Sequence, residues 1–243
     1  MPIRHSSVLD VENAENTLSL TAIAILVKTP GRSPVKTRLA AGVGKRAATL
    51  LYRRAAAAVA ESAEAAGIGP VYWAVAEKAA LHDPVWSGLD RLEQGSGGLG
   101  ARMAHVHATL VARHGKGLLL GADTPQIRPE DLQQAHRELT GGGPRIVLGP
   151  ARDGGFWLFG ANRPIPTERW SRTPYSSTKT RSRLKAALAD LGGWHELDWL
   201  TDLDRSEDLR QVYQEQAYRC PETPAQRRLV RTLELIIHRM EPS

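Results

Sequence analysis

Thr21-Ala-Ile-Ala-Ile-Leu-Val27 runs directly into Lys28-Thr-Pro-Gly-Arg-Ser-Pro-Val-Lys-Thr-Arg-Leu39. The first half is a short, continuous apolar run with β-branched residues, the pattern of a strand buried on both faces in a parallel sheet. Pro30 and Gly31 then break the strand and turn the chain. Lys28, Arg32, Lys36 and Arg38 are thereby displayed on one loop at a strand's carboxyl end, where open α/β sheets bind their ligands. Four cations with no acid among them suit a polyanion, and a nucleotide phosphate chain fits best. A solvated basic loop has the same charge, but only the phosphate reading uses its position. Lys28, Pro30, Gly31 and Arg32 are therefore expected to bind nucleotide.

Working outward, strands alternate with helices, which predicts an α/β protein with a mostly parallel twisted sheet and helices on both faces. Lys45 to Ala66 is an Ala-rich helix closed by Gly67. Pro70 to Ala76, Gly117 to Ala122, Arg145 to Leu148 and Phe156 to Phe159 read as strands. Leu99 to Arg113 is helical by the spacing of Met103, Val106 and Leu110. Another helix begins at Pro129, with Glu130 and Asp131 complementing its dipole. Thr178 to Leu191 is read as helix, Glu196 to Leu200 as a short strand, and Ser206 as the cap of a helix reaching about Ala217. Thr223 to Met240 is an amphipathic helix that packs on the body or on a partner chain, leaving a homodimer open.

At 243 residues the chain suits one large domain from residue 20 to 243, with residues 1–19 a loosely ordered extension. That extension has no apolar core of a secretory signal, and no apolar run reaches bilayer length. A single cysteine, Cys220, excludes an internal disulfide and points to the cytoplasm. The net charge of +6 raises nucleic acid as a partner. Scattered basic residues and the lack of a stacking motif argue against it, and a small anionic substrate explains the charge with less.

Four places could carry chemistry. Asp123 follows the apolar strand 117–122 and precedes Pro125, well placed to hold Mg²⁺ against phosphates or else to form a turn. Asp153-Gly154-Gly155 permits close ligand approach, as an acceptor or metal site or as a plain turn. Asp202 and Asp204 lie two apart, so both carboxylates can face one cation, or cap a helix. Gln94 opens a glycine-rich loop to Gly100 and could read a base edge. In addition, Lys179, Arg181, Arg183 and Lys185 crowd the start of a helix, opposing its dipole unless an anion binds there. Zinc clusters, a nucleophile elbow and a Walker A sequence are absent, and no Gly-x-Gly-x-x-Gly follows the first strand.

These blocks, in this order, resemble a bacterial family of GT-A-fold transferases named for association with radical-SAM and selenium-domain proteins, within the nucleotide-diphospho-sugar transferase superfamily. The matching segments are Ala24 to Pro30 with Val35 to Leu39, Gln94 with Leu99 to Met103, Gly121 to Pro125, Gly149 to Gly155, and Asp202-Leu-Asp204 with Glu207-Asp-Leu209. The first block is also similar to guanylyltransferases that activate phospholactate or phosphoenolpyruvate. The resemblance implies a GT-A fold, a nucleotide-bound donor, and Mg²⁺ or Mn²⁺. It implies that Lys36 and Arg38 hold phosphates, that Gln94 and Gly98 lie near the base, and that Asp123 ligates metal. Asp204 matches the second ligand, with Asp153 the competitor. Where the family has glycine two residues before the valine, this chain has Ser33.

The expected activity is a Mg²⁺-dependent nucleotidyltransferase, with Lys36, Arg38 and Asp123 as catalytic residues and a small anionic or hydroxylated acceptor held near Asp153, Gly154 and Gly155. Glycosyl transfer from a nucleotide sugar and metal-indifferent nucleotide binding without catalysis are the alternatives.

Overall fold

The computed structural model describes residues 20–175 and 177–240; the expected extension 1–19 lies outside them. Seven strands form one sheet in the order β3-β2-β1-β4-β6-β5-β7. They are β1 Ala22–Val27, β2 Val71–Val75, β3 Asp90–Glu93, β4 Gly117–Gly121, β5 Arg145–Pro150, β6 Phe156–Ala161 and β7 Gly193–Glu196. The sheet is parallel except for β6, which runs antiparallel to both β4 and β5. The short Asp153-Gly-Gly turn explains this, because two consecutive strands joined so tightly can only reverse.

The helices are α1 Thr37–Val43, α2 Lys45–Ala65, α3 Leu99–His114, α4 Pro129–Thr140, α5 Thr167–Ser171, α6 Thr180–Ala187, α7 Asp208–Tyr218 and α8 Pro224–Met240. Both faces of β1 are covered, as its unbroken apolar run requires. Ile23, Ile25 and Val27 pack with Tyr52 and Val59 of α2 and Leu132 of α4. Ala22 and Ala24 face Met103, Val106 and Leu110 of α3, where alanine lets the helix approach closely. Each larger β1 side chain so buried contributes about 1.5–3 kcal/mol. A third apolar layer joins Leu39, Leu51, Leu209, Val212, Leu229 and Leu233. Thus α8 packs on the body, across α2 and α7, while Leu235 and Met240 on it stay exposed. Among the described residues no helix is long and apolar enough to cross a membrane.

Several local expectations are corrected. Arg38 lies in the first turn of α1 rather than on a loop. The edge strand β3 and the short α5 have too little periodicity to declare themselves. The 178–191 helix shrinks to Thr180–Ala187. The strand expected at 196–200 is β7 at Gly193–Glu196, with Leu200 left as an isolated bridge to Ala151. Ser206 does not cap α7, which has no side-chain cap; Asp208 in its first turn instead ties down the preceding loop, its Oδ2 accepting from Asp204 N (3.0 Å) and Arg205 N (2.6 Å).

Strand order reverses between β1 and β4. The chain proceeds from β1 to β2 and β3 on one side, then returns to lay β4 on the other. The crevice beyond the carboxyl ends of β1 and β4 is therefore the topological switch point. Leu26 pairs with Gly121 there, so the segments opening at Lys28 and Ala122 leave the sheet side by side.

Candidate active site

The loop after β1 is tied down before it reaches the crevice. Lys28 N donates to Tyr52 Oη (2.9 Å), and that hydroxyl donates to Lys28 O (3.0 Å). Thr29 N donates to Glu77 Oε2 (2.9 Å), and Trp86 Nε1 donates to Thr29 Oγ1 (2.9 Å). Burial alone would raise the Glu77 carboxyl; hydrogen bonds from Ser33 and Thr29 outweigh it and hold the group below its ordinary range. Tyr52, Glu77 and Trp86 thus shape the loop, and no local sequence signal marks them, since each reaches it from a distant element.

Lys36 then takes a left-handed backbone, φ 48° and ψ 44°, at the start of α1. Left-handed geometry costs a residue with a Cβ about 1–2 kcal/mol. The side chain is only 7% exposed, and its ammonium lies 2.6 Å from Asp123 Oδ2 and 3.6 Å from Asp204 Oδ1. Burial pulls the Lys36 pKa down, but Asp123, through charge and hydrogen bond, with Asp204 and Asp202 behind it, carries it above its ordinary value. Lys36 is held as a cation. Arg38 Nη1 completes the group, 3.1 Å from Asp204 Oδ2.

The acids arrive from two segments. Asp123 follows β4, and its carboxylate folds back over Gly121, where a Cβ would stand 2.8 Å from Asp123 Oδ1. Leu203 N donates to Asp123 O (2.8 Å), stitching the 202–204 segment beside it. Thr124 Oγ1 donates to Asp202 Oδ1 in a short hydrogen bond. Burial first, then the charge of Asp123, push the Asp202 carboxyl up to about 8, with Asp153 adding and Thr124 and Lys36 opposing. Burial and a facing carboxylate make Asp202 a candidate functional group.

Among the described residues no group of three or more His, Cys, Asp or Glu side chains is arranged to hold a metal; the Lys36 ammonium stands between Asp123 and Asp204 instead. The donor chemistry nevertheless fits a hard divalent cation. Asp123 and Asp204 both face the Lys36 ammonium, and Asp202, raised first by burial and then by the Asp123 charge, adds a third oxygen donor to the neighbourhood.

The other expected residues divide. Asp153 is exposed, and its Oδ1 accepts from Gly155 N (2.7 Å) in a side-chain turn; it reaches the centre through the field it exerts on Asp202. Gly154 is required by geometry, with φ 91° and a built Cβ only 2.1 Å from Thr178 O. Arg32 points away, 3.7 Å from Asp83. Pro30 bridges Ser33 across a tight turn that Gly31 enters at φ 89°. Gly98 is the exposed N-cap of α3. Gln94 is buried, and its amide nitrogen donates to Val27 O (3.1 Å) and Ala74 O (2.8 Å). Those donors are spent on joining the ends of β1 and β2, which leaves only the amide oxygen for a base. Of the four cations expected at the start of α6, Arg181 and Lys185 are already paired, and Lys185 falls in the last turn of the shortened helix. Arg181 Nη1 bonds both Glu196 oxygens (2.9 and 3.1 Å), Lys185 Nζ bonds one of them (2.7 Å), and Arg181 stacks 4.7 Å from the Trp199 ring.

The family described as an uncharacterized protein conserved in bacteria (DUF2064) matches residues 54–177, just over half of the chain. The chain belongs to this DUF2064 family. The matched segment contains Asp123 and the 153–155 turn, while Lys36, Arg38, Asp202 and Asp204 flank it. No curated protein matches the chain. Among solved structures, the DUF2064 chain is similar to a candidate nucleotide-diphospho-sugar transferase from Desulfovibrio desulfuricans G20, with TM-score 0.76 and 22% identity over 92% of this chain and 99% of that one. A nucleotidyl transferase from Methanothermobacter gives TM-score 0.52 and 13% identity over 82% and 99%. The 4-diphosphocytidyl-2C-methyl-D-erythritol synthase of Anaerococcus prevotii gives 0.50 and 10% over 84% and 98%. At these identities the likeness establishes the fold: a nucleotide-diphospho-sugar transferase, or GT-A-like, architecture.

Proposed function

We propose that the chain is a divalent-cation-dependent nucleotidyltransferase that moves a nucleoside monophosphate from a triphosphate to a small anionic or hydroxylated acceptor, releasing pyrophosphate. The observation that carries the reading is the Lys36 ammonium, 2.6 Å from Asp123 and 3.6 Å from Asp204 at the switch point, with Arg38 beside it. Cations and carboxylates gathered at one sheet end are the parts that phosphoryl chemistry requires, since its transition state is stabilised by position and charge.

Lys36 and Arg38 neutralise charge on the triphosphate as the acceptor oxygen bonds to the α-phosphorus and the bond to pyrophosphate breaks. Asp123, Asp202 and Asp204 are the residues that would hold Mg²⁺ or Mn²⁺. When bound, that ion supplies Lewis-acid polarisation of the phosphates. The Asp153-Gly154-Gly155 turn offers the acceptor its exposed Asp153 carboxylate, the backbone groups of the two glycines being engaged within the turn and by Arg181 N. The chain's fold neighbours include proteins described as a nucleotidyl transferase and a diphosphocytidyl-methylerythritol synthase, in keeping with this chemistry.

Glycosyl transfer is the second reading, favoured by the neighbour of highest TM-score among those described, a candidate nucleotide-diphospho-sugar transferase. One experiment separates the two. The purified protein is incubated with each nucleoside triphosphate, Mg²⁺ and an acceptor panel of phosphorylated and hydroxylated small acids and sugars. Pyrophosphate release that depends on acceptor supports the proposal. Nucleoside diphosphate released only from sugar donors replaces it with glycosyl transfer, and nucleotide binding that is indifferent to metal, without turnover, replaces both.

A further inference from the structure

The carboxylate side of the site rests on loops with no regular hydrogen-bond ladder of their own, and one side chain joins three of them. Glu215 lies on α7, with its side chain 12% exposed. Its Oε2 accepts from Gln126 Nε2 (2.8 Å) and Thr201 N (3.0 Å). Its Oε1 accepts from Thr201 Oγ1 (2.8 Å), Gln211 Nε2 (2.9 Å) and Arg152 Nε (3.1 Å).

Those donors come from consequential places. Gln126 stands two residues after Thr124, which holds Asp202, and it also donates to Thr201 O (2.7 Å). Thr201 precedes Asp202, and Arg152 precedes Asp153. Arg152 N further bonds Leu200 O (3.0 Å), so the two acid-bearing loops meet where Glu215 supports them. Four residues on, at the C-cap of α7, Arg219 Nε donates to Gln126 O (3.0 Å) and the guanidinium pairs with Asp131. The same helix face therefore grips the post-β4 segment twice. Burial works against an ionised Glu215, but the hydrogen bonds from Gln211, Thr201 and Gln126 outweigh it and keep the carboxyl below its ordinary range.

We propose that Glu215 is the positioning residue of this site, a carboxylate that never touches substrate but sets the loops bearing Asp153, Asp202 and Asp204 in register with Thr124. The proposal rests on the functional reading above for what those acids do, and on geometry alone for how they are held. An amide cannot take its place. A nitrogen at either oxygen's position faces two or three donors and accepts none of them. Partners that orient ligands from behind typically change metal affinity about 10–100-fold when removed.

The test uses the full chain and the variants Glu215→Gln and Glu215→Ala, the first kept because it preserves volume if the second does not fold. Amide hydrogen exchange is followed at Arg152, Thr201 and Leu203, with Ile23 and Ile25 in the core strand β1 as controls. Mn²⁺ binding is followed by electron paramagnetic resonance with the metal alone. The expected result is exchange faster by about tenfold or more at the three loop amides, unchanged exchange at the controls, and Mn²⁺ affinity lower by about tenfold or more. Acceleration confined to α7, or no acceleration, overturns the proposal. So does unchanged Mn²⁺ affinity despite loosened loops, which would make Glu215 a residue of the fold only. A wild-type protein that binds no Mn²⁺ counts against the metal in the functional reading, and the exchange pattern then decides Glu215 by itself.

Discussion

Lys36 and Asp123 meet at 2.6 Å across 87 residues of sequence, and Lys36 reaches that contact from a left-handed backbone. Strain and attraction are spent at one position, which is common where a site is pre-organised.

Lys36→Ala is therefore expected to lower catalytic rate by about 100–1000-fold, the loss seen when a group stabilising developing charge is removed. It also leaves carboxylates facing one another. With Asp123 a third exposed, we expect a stability loss of about 1–3 kcal/mol, below the full cost of breaking a buried pair. Millimolar Mn²⁺ should recover much of that loss, measured as melting temperature with and without the ion. Lys36→Gly should be more stable than Lys36→Ala by about 1 kcal/mol, because glycine adopts this backbone freely.

Asp202 titrates near 8 in the folded chain, against an ordinary 3.8. The folded state thus binds this proton more tightly than the unfolded chain. Its stabilising contribution is complete below about pH 4 and is lost as the pH rises towards 8. Asp202→Asn should melt progressively higher than wild type across that window, with the difference shrinking when a divalent cation is added. A difference that stays flat from pH 4 to 8 would show that Asp202 ionises normally.

His107 moves stability the opposite way. The ring is fully buried, packed 5.5 Å from Phe159 and 6.1 Å from Trp170 between centroids. Burial pushes its pKa down to about 4, and the Ala161 and Gly117 carbonyls offset little. Neither ring nitrogen has a hydrogen-bond partner of good geometry. Protons bind the unfolded chain first, so stability is complete above pH 6.5 and declines as the pH falls towards 4, by up to about 3 kcal/mol. His107→Phe should flatten that slope in denaturant titrations at pH 4.5 and 7.5.

Two glycines with positive φ should respond unequally to alanine. At Gly154 the new Cβ meets the Thr178 backbone, whereas at Gly31 it meets nothing within 4 Å. Gly31→Ala carries only left-handed strain, about 1–2 kcal/mol. Gly154→Ala adds a backbone clash and should cost at least about 2 kcal/mol, displacing Asp153 as it does so. Equal melting temperatures for the two would contradict the close approach at Thr178.

Much of this protein was legible in residue order alone. The apolar run of β1, the glycine after α2, the proline opening α4 and the acids following β4 and preceding α7 each act through neighbours in the chain, so local chemistry reveals them. That Asp123 faces the cationic loop could be read from its place at a strand end, but the direct pairing of Lys36 with Asp123 and Asp204 could not, since the expectation for Lys36 is phosphate and for the acids metal. The tertiary structure alone decided that Asp202 is the perturbed acid, that Gln94 spends its amide nitrogen on the sheet, that Glu196 pairs with Arg181 and Lys185, and that Tyr52, Glu77 and Glu215 support the loops. Such roles depend on burial and on partners dozens of residues away. A strand's pattern is written in its own side chains, whereas a carboxylate's charge state is set by whatever the fold brings against it.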